Sequence, residues 1–323
     1  MTRGMAAGGE GGEGSAGAGG ADGAERAELR RRILRWYRAN GRYLAFRATR
    51  DPWAILVSEV MAQQTQAARA AEAWTAFIAA FPTPDSLAAA SPAAVLRAWR
   101  GLGYNRRAIA LQRAAQQIVE RHGGLVPSGL ADLEALPGVG PYTARAVAAL
   151  AFGRRVGPVD TNVRRVLTRV FFGAGGAPDP AAVQALADAL APARAPGSWT
   201  HAVMDVGATF CRSRNPLCAE CPARPVCRYA AALAAGGSGA APARAGVAAG
   251  RRPVARFPST TRWLRGRILD RLRDAGDGAW TTFDGPIGGH SPEATAGALE
   301  AMSREGLIEL RLAGAPEARL PQA

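Results

Sequence analysis

LPGVGPYTARAV, residues 136–147, is a turn with glycines at 138 and 140 that runs straight into a helix. Glycine lets backbone N–H groups approach an anion closely, and the first turn of a helix favours negative charge. The peptide units of Gly138, Val139 and Gly140 are therefore candidates for gripping a phosphate. A bare Gly-x-Gly also occurs in ordinary turns, so its surroundings decide the reading.

Outward from this turn the pattern is helical in both directions. From Glu25 to about Ala230 the segments LRRRILRWYRAN, PWAILVSEVMAQQTQAARAAEAWTAFIAAF, NRRAIALQRAAQQIVERHG, TNVRRVLTRVFFG and SWTHAVMDVGATF follow one another, with no alternating strand pattern and no internal repeat. Asp51-Pro52, Ser91-Pro92 and Asp179-Pro180 each set a capping side chain before a proline suited to the first helical position. Residues 1–23 are Gly/Ala-rich and read as a disordered tail. Residues 24–232 read as one mainly α core. Residues 233–256 read as an Ala/Gly/Pro/Arg linker. In residues 257–323 an amphipathic helix (Leu264, Ile268, Leu269, Leu272), a capped helix and two short strands in LIELRLAGAPEARLPQ suggest a winged-helix-like module.

The formal net charge is +14 over 323 residues, and every cation counted is arginine, since the chain contains no lysine. Such an excess points to a polyanion such as nucleic acid, or to heavy arginine usage in general. The N-terminal stretch has no apolar signal core, and no run of about 18 apolar residues could span a membrane. The expected location is cytoplasmic, where structural disulfides are rare.

All four cysteines fall in CRSRNPLCAECPARPVC, residues 211–227, spaced C-x6-C-x2-C-x5-C. Zinc sites commonly show two C-x2-C knuckles; here there is one, Cys218-Cys221, between wider gaps. Irregular spacing suits a cubane cluster, whose corners spread further than the ligands of one ion. The spacing leaves an iron–sulfur cluster, zinc and free thiols as readings.

Two carboxylates have contrasting neighbours. Glu59 lies among Ile55, Leu56, Val60 and Met61, so desolvation should raise its pKa and suit it to general acid work. Asp160 reads as an N-cap, at the positive end of a helix dipole. One neutral acid and one anion divide the labour of glycoside cleavage. Alternatively, Glu59 is a buried partner of an arginine and Asp160 simply a cap.

VSEVMAQQT, GLGYNRRA, LPGVGPYTA, VDTNVRRVL, MDVGATFC and the cysteine spacing occur in that order. Together they resemble the MutY-type adenine DNA glycosylases of the helix-hairpin-helix superfamily, over residues from about 25 to 230. The resemblance implies a two-lobed helix-hairpin-helix glycosylase core with a [4Fe-4S] cluster on Cys211, Cys218, Cys221 and Cys227. It implies a monomer that acts in the nucleoid on double-stranded DNA with a mismatched or oxidised pair, removing a flipped adenine opposite 8-oxoguanine or guanine. Glu59 matches the general acid. Asp160 matches the carboxylate that stabilises or attacks the sugar cation. Tyr142 and Asn162 match supporting positions. Gln64 matches the residue that wedges into the duplex, and Tyr104 lies in the segment that probes the mismatch.

The chain differs from related enzymes in one place and departs from the resembled family in three. Tyr142 stands where related endonuclease-III-type enzymes carry a lysine, so a Schiff-base lyase route is excluded. Leu44-Ala45-Phe46-Arg47 replaces leucine-proline-tryptophan-arginine, which should loosen packing there. Asn105 replaces a frequent aromatic residue. The tail is too short and differently patterned for a Nudix-like domain, and His290 reads as a loop residue. A thymine or uracil mismatch glycosylase, or a non-catalytic iron–sulfur DNA-binding protein, are the alternative readings.

Overall fold

The computed structural model describes residues 23–236 and 256–322; the tail expected over residues 1–23 lies outside them except for Gly23, which opens a helix, and so does most of the expected linker, 237–255. The chain begins with α1 (Gly23–Asn40) and a 3-10 turn (Ala45–Arg47). There follow α2 (Pro52–Ala62), α3 (Ala67–Ala80), α4 (Pro84–Ala88), α5 (Pro92–Ala98), α6 (Arg106–His122), α7 (Leu130–Glu134) and α8 (Pro141–Leu150). Then come α9 (Thr161–Phe172), α10 (Pro180–Leu190), α11 (Pro196–Thr209) and, after the cysteine segment, α12 (Arg228–Ala234).

The expected helix starts are present. Asp51 accepts from the N–H groups of Trp53 and Ala54, Ser91 from Ala94 and Asp179 from Ala181, each ahead of a proline in the first turn. The long apolar run after Pro52 divides into α2 and α3 because Gln63–Gln66 break the helix, with Gln64 in the left-handed region at φ 54°.

Two hydrophobic cores divide the helices. The first gathers α2 to α8; the second joins α1 to α9, α10, α11 and the cysteine segment. Thus α1, first in the chain, belongs with the second lobe: Leu29 and Ile33 are fully buried there, and α1 packs on α11. The helix α2 is buried along Trp53–Met61, as a helix apolar on all sides must be. The turn at Leu44–Arg47 is not loosened: Leu44 and Phe46 are both buried, Phe46 edge-on to Trp74.

Beyond the cysteine segment come α13 (Thr261–Asp274), β1 (Thr281–Thr282), α14 (Pro292–Arg304), β2 (Glu309–Arg311) and β3 (Glu317–Arg319). The strands form an antiparallel sheet in the order β1-β3-β2. Leu264, Ile268, Leu269 and Leu272 are buried as the pattern predicts, and they join the first core rather than forming a separate one. The docking is polar as well. Arg273, itself buried, donates to the Leu96 carbonyl at 2.9 Å, and Ala93 N–H donates to the Pro321 carbonyl at 2.9 Å.

Candidate active site

Each lobe contributes one of the two carboxylates. Glu59 comes from α2 and is only 7% exposed. It is the sole ionisable side chain on a helix otherwise made of apolar residues and Ser58. Burial pushes its carboxyl up to about 7, against the opposing pull of the Tyr142 hydroxyl and Arg47, with Asp160 adding to the rise. Asp160 caps α9. Its Oδ1 accepts from Val163 N–H at 2.6 Å and its Oδ2 from Asn162 Nδ2 at 2.9 Å.

Tyr142, in the first turn of α8, lies within electrostatic reach of both. Burial first, then the charges of Glu59 and Asp160, hold its phenol protonated well above the usual tyrosine range. A hydroxyl kept as a donor beside Glu59 can orient that carboxyl. Asn162 is fixed in turn by Arg165, whose Nη2 donates to Asn162 Oδ1 at 2.7 Å. The sequence-predicted group of Glu59, Tyr142, Asp160 and Asn162 is thus brought together where the lobes meet.

Beside Glu59 opens a cavity of about 440 Å³, walled also by Arg47, Ser58, Leu150, Gly197 and His201. This lies within the size range of small-molecule sites, roughly 300–1,000 Å³. Its polar wall was not foreseen from sequence. Arg47 makes a bidentate pair with Asp205 at 2.8 and 2.9 Å, and Arg42 adds a bond at 2.7 Å. Asp205 has no exposed side chain; burial opposes its charge, but the bonds from Arg47 and Arg42 outweigh burial and lower its pKa. The Nε of Arg47 is buried without a hydrogen-bond partner among the described residues. Burial, then Arg47, pushes His201 down to about 3, so its ring is neutral. Asp205 carried the same sequence signal as Glu59, a lone acid between apolar neighbours.

The hairpin lies close to this group. Gly138 has φ 80°, and a Cβ there would meet the Ala110 side chain at 2.9 Å, so glycine is required on two grounds. Gly138 and Gly140 are exposed, whereas Val139 turns its side chain into the core and donates its N–H to the Leu136 carbonyl at 3.1 Å. The Gln63 side chain bridges from the end of α2 to the Gly138 carbonyl at 3.2 Å and Thr143 Oγ1 at 3.1 Å.

Gln64 and Tyr104 are both exposed at left-handed φ, 54° and 46°. One guanidinium serves both loops. Arg107 donates to the carbonyls of Val60, Met61 and Gln63 on one side and of Leu102 and Gly103 on the other. Sequence reading quoted Arg107 within GLGYNRRA but gave it no task.

All four cysteines are unpaired and line one small apolar pocket with Arg169 and Tyr229. Burial, reinforced by the other cysteines, pushes the Cys221 thiol up to about 12, and Cys218 and Cys227 are raised as well. Buried sulfurs of this kind ionise only against added positive charge, which fits a resident metal centre. Among the described residues, no three histidine, cysteine or carboxylate side chains are grouped as ligands of a single metal ion. The segment is gripped by α9. Arg165 donates to the Cys211 carbonyl, and Arg169 donates to the carbonyls of Arg212 at 2.6 Å and Ser213 at 3.3 Å.

Residues 57–192 match the HhH-GPD superfamily base excision DNA repair protein family. An adenine DNA glycosylase of Mycolicibacterium smegmatis is 39% identical over 279 residues, covering 86% of this chain and 91% of that protein. One from Mycobacterium tuberculosis is 44% identical over 248 residues, covering 75% and 78%. The chain belongs to the adenine DNA glycosylase family. As an adenine DNA glycosylase family member it is a base excision repair glycosylase, with the mainly helical fold of that superfamily. The solved structure of a thermostable thymine-DNA glycosylase is similar at a TM-score of 0.61 and 29% identity, over 64% of this chain and 97% of that one.

Proposed function

We propose that this glycosylase removes adenine paired with 8-oxoguanine or guanine and does not cut the sugar. The observation that carries the reading is Glu59, a buried acid whose pKa stands at about 7 and which is therefore protonated in neutral solution to a useful degree. A flipped base enters the cavity beside it. Glu59 gives its proton to a purine ring nitrogen, the glycosidic electron pair leaves with the base, and Asp160 balances the positive charge left on the sugar. Water adds to the sugar carbon and its proton is returned. Tyr142 and Asn162 hold the two carboxylates. With no lysine in the chain, no lysine amine is available to open the sugar as a Schiff base.

Gln64 and Tyr104 form a pair of exposed, strained side chains, suited to entering the duplex beside the opposing base. The exposed Gly138 and Gly140, with Val139 between them, suit the phosphate backbone. Residues 257–323 are read as a winged-helix-like module, supported among the described residues by two helices and a small antiparallel sheet.

Cys211, Cys218, Cys221 and Cys227 would hold a [4Fe-4S] cluster. Its positive irons would keep the four sulfurs ionised and fix the Arg-rich loop.

The test uses duplexes containing A:8-oxoG, A:G, T:G and U:G, followed by alkaline cleavage of abasic sites. Cutting at adenine alone is expected. Cutting only at T or U would replace this reading with a pyrimidine glycosylase, and no cutting with a non-catalytic DNA-binding protein.

A further inference from the structure

Three consecutive residues of the loop that carries Tyr104 are held by the C-terminal module. Arg262, on α13, donates to the Tyr104 hydroxyl at 2.7 Å, and its guanidinium lies over the Tyr104 ring at 5.4 Å and over Phe257 at 5.1 Å. The buried Arg273 donates to Asn105 Oδ1 at 2.7 Å. Glu305, fixed by Arg265, faces Arg106 at 3.8 Å. Asn105, where an aromatic side chain was expected, is thus turned to the module.

We propose that the module is part of the opposite-base reader: Arg262 is a positioning residue that aims the Tyr104 ring at the base facing the extruded adenine. The inference rests on the proposed function, in which Tyr104 enters the duplex. Tyr104 is 42% exposed and sits at φ 46°, a backbone state that a tyrosine holds only when its surroundings enforce it. Arg107 fixes the loop from the core side, and Arg262 fixes the ring from the outer side. A stacking residue with two-sided support keeps its rotamer when DNA arrives, and preorganisation of this kind shows in discrimination.

The test measures single-turnover excision on A:8-oxoG and A:G duplexes with the full chain. Arg262→Ala should change the ratio of the two rates about three- to tenfold, the effect of losing one charge-assisted bond at a partly exposed site. Tyr104→Phe, which removes the acceptor and keeps the ring contact, should shift the ratio in the same direction and by no more than Arg262→Ala. The double variant should shift it no further than Arg262→Ala alone, because that change already removes both the hydrogen bond and the ring contact. Arg271→Ala removes a charge from the same helix without touching Tyr104 and should leave the ratio unchanged. Additive losses, an unmoved ratio in Arg262→Ala, or an equal change in Arg271→Ala would overturn the proposal. If Tyr104→Ala itself leaves the ratio unmoved, the underlying reading of Tyr104 falls, and Arg262 loses its role with it. If the unaltered protein cuts neither adenine duplex, the function itself was misread.

Discussion

Arg107 donates to the Gln63 carbonyl at 2.6 Å, and through its other amino group to the Gly103 carbonyl at 3.0 Å. One side chain therefore sets the distance between the loop bearing Gln64 and the loop bearing Tyr104. Arg107→Ala leaves six carbonyl oxygens, that of Tyr104 included, without this donor. Amide exchange at Thr65 and Leu102, whose N–H groups close the two turns, should quicken together. Mismatch affinity should drop about tenfold, the scale of one charge-assisted bond. Arg107→Lys should behave almost as badly, because an ammonium cannot span both loops. Exchange that quickens in one loop alone would show that the loops are not coupled through this residue.

Glu59 fixes the pH behaviour. The acid must hold its proton to act, so the single-turnover rate should be high below pH 7 and fall as the pH rises through about 7. Stability follows the same direction. The folded-state pKa is raised from 4.5, so the folded chain holds a proton that the unfolded chain has lost between those values. Folding should therefore weaken as pH climbs through that window, by about 3 kcal/mol in all. Glu59→Gln should abolish excision, retain mismatch binding and melt higher than the unaltered protein at pH 8. A melting point lowered at pH 8 would show that Glu59 is ionised and well paired.

What the sequence discloses is what neighbours in the chain decide. Asp-Pro and Ser-Pro caps set helix starts within three residues, and the apolar company of Glu59 is its own helix. The pairing of Asp205 with Arg47 and Arg42 joins residues about 160 apart, and nothing local announces it. The burial of α1 against α11 likewise depends on segments far apart in the chain meeting. The strand β1 is two residues long, too short for an alternation to register, and its existence depends on β3. Arg165 and Arg169 follow Asp160 on the same helix, yet in the fold they grip the cysteine segment, a contact that nothing local announces.

Asp205→Asn should be among the most destabilising single changes in the protein. It leaves Arg47 buried beside a neutral amide, and breaking such a pair costs about 3–5 kcal/mol. Because the Asp205 pKa is lowered in the folded state, this contribution is present above the ordinary carboxylate value of 3.8 and is lost as pH falls below it. Urea titrations at pH 7 and pH 3 test this: the gap between the two proteins should narrow in acid. An equal gap at both values would assign the loss to packing.

Gly207→Ala probes the spacing of α11 and α9. An added Cβ would come within 2.7 Å of Asn162 Cβ and 3.2 Å of its backbone. The start of α9 must move, and Asp160 with it. The excision rate should drop by more than tenfold with substrate affinity held within about twofold, since the displaced groups act on the sugar and not on the phosphates. Equal losses in rate and affinity would mean that the shift spreads into the duplex-binding surface.

The residues after position 256 share their oily interior with the helices around Val95 and Leu96. The lobe that bears Glu59 is therefore roofed by the segment that follows the cysteines. A shortened gene product ending at residue 236 would present Leu96 and its neighbours to water, a greasy scar that invites clumping. In this protein the cutting edge is not a detachable blade; handle and blade were ground from one piece.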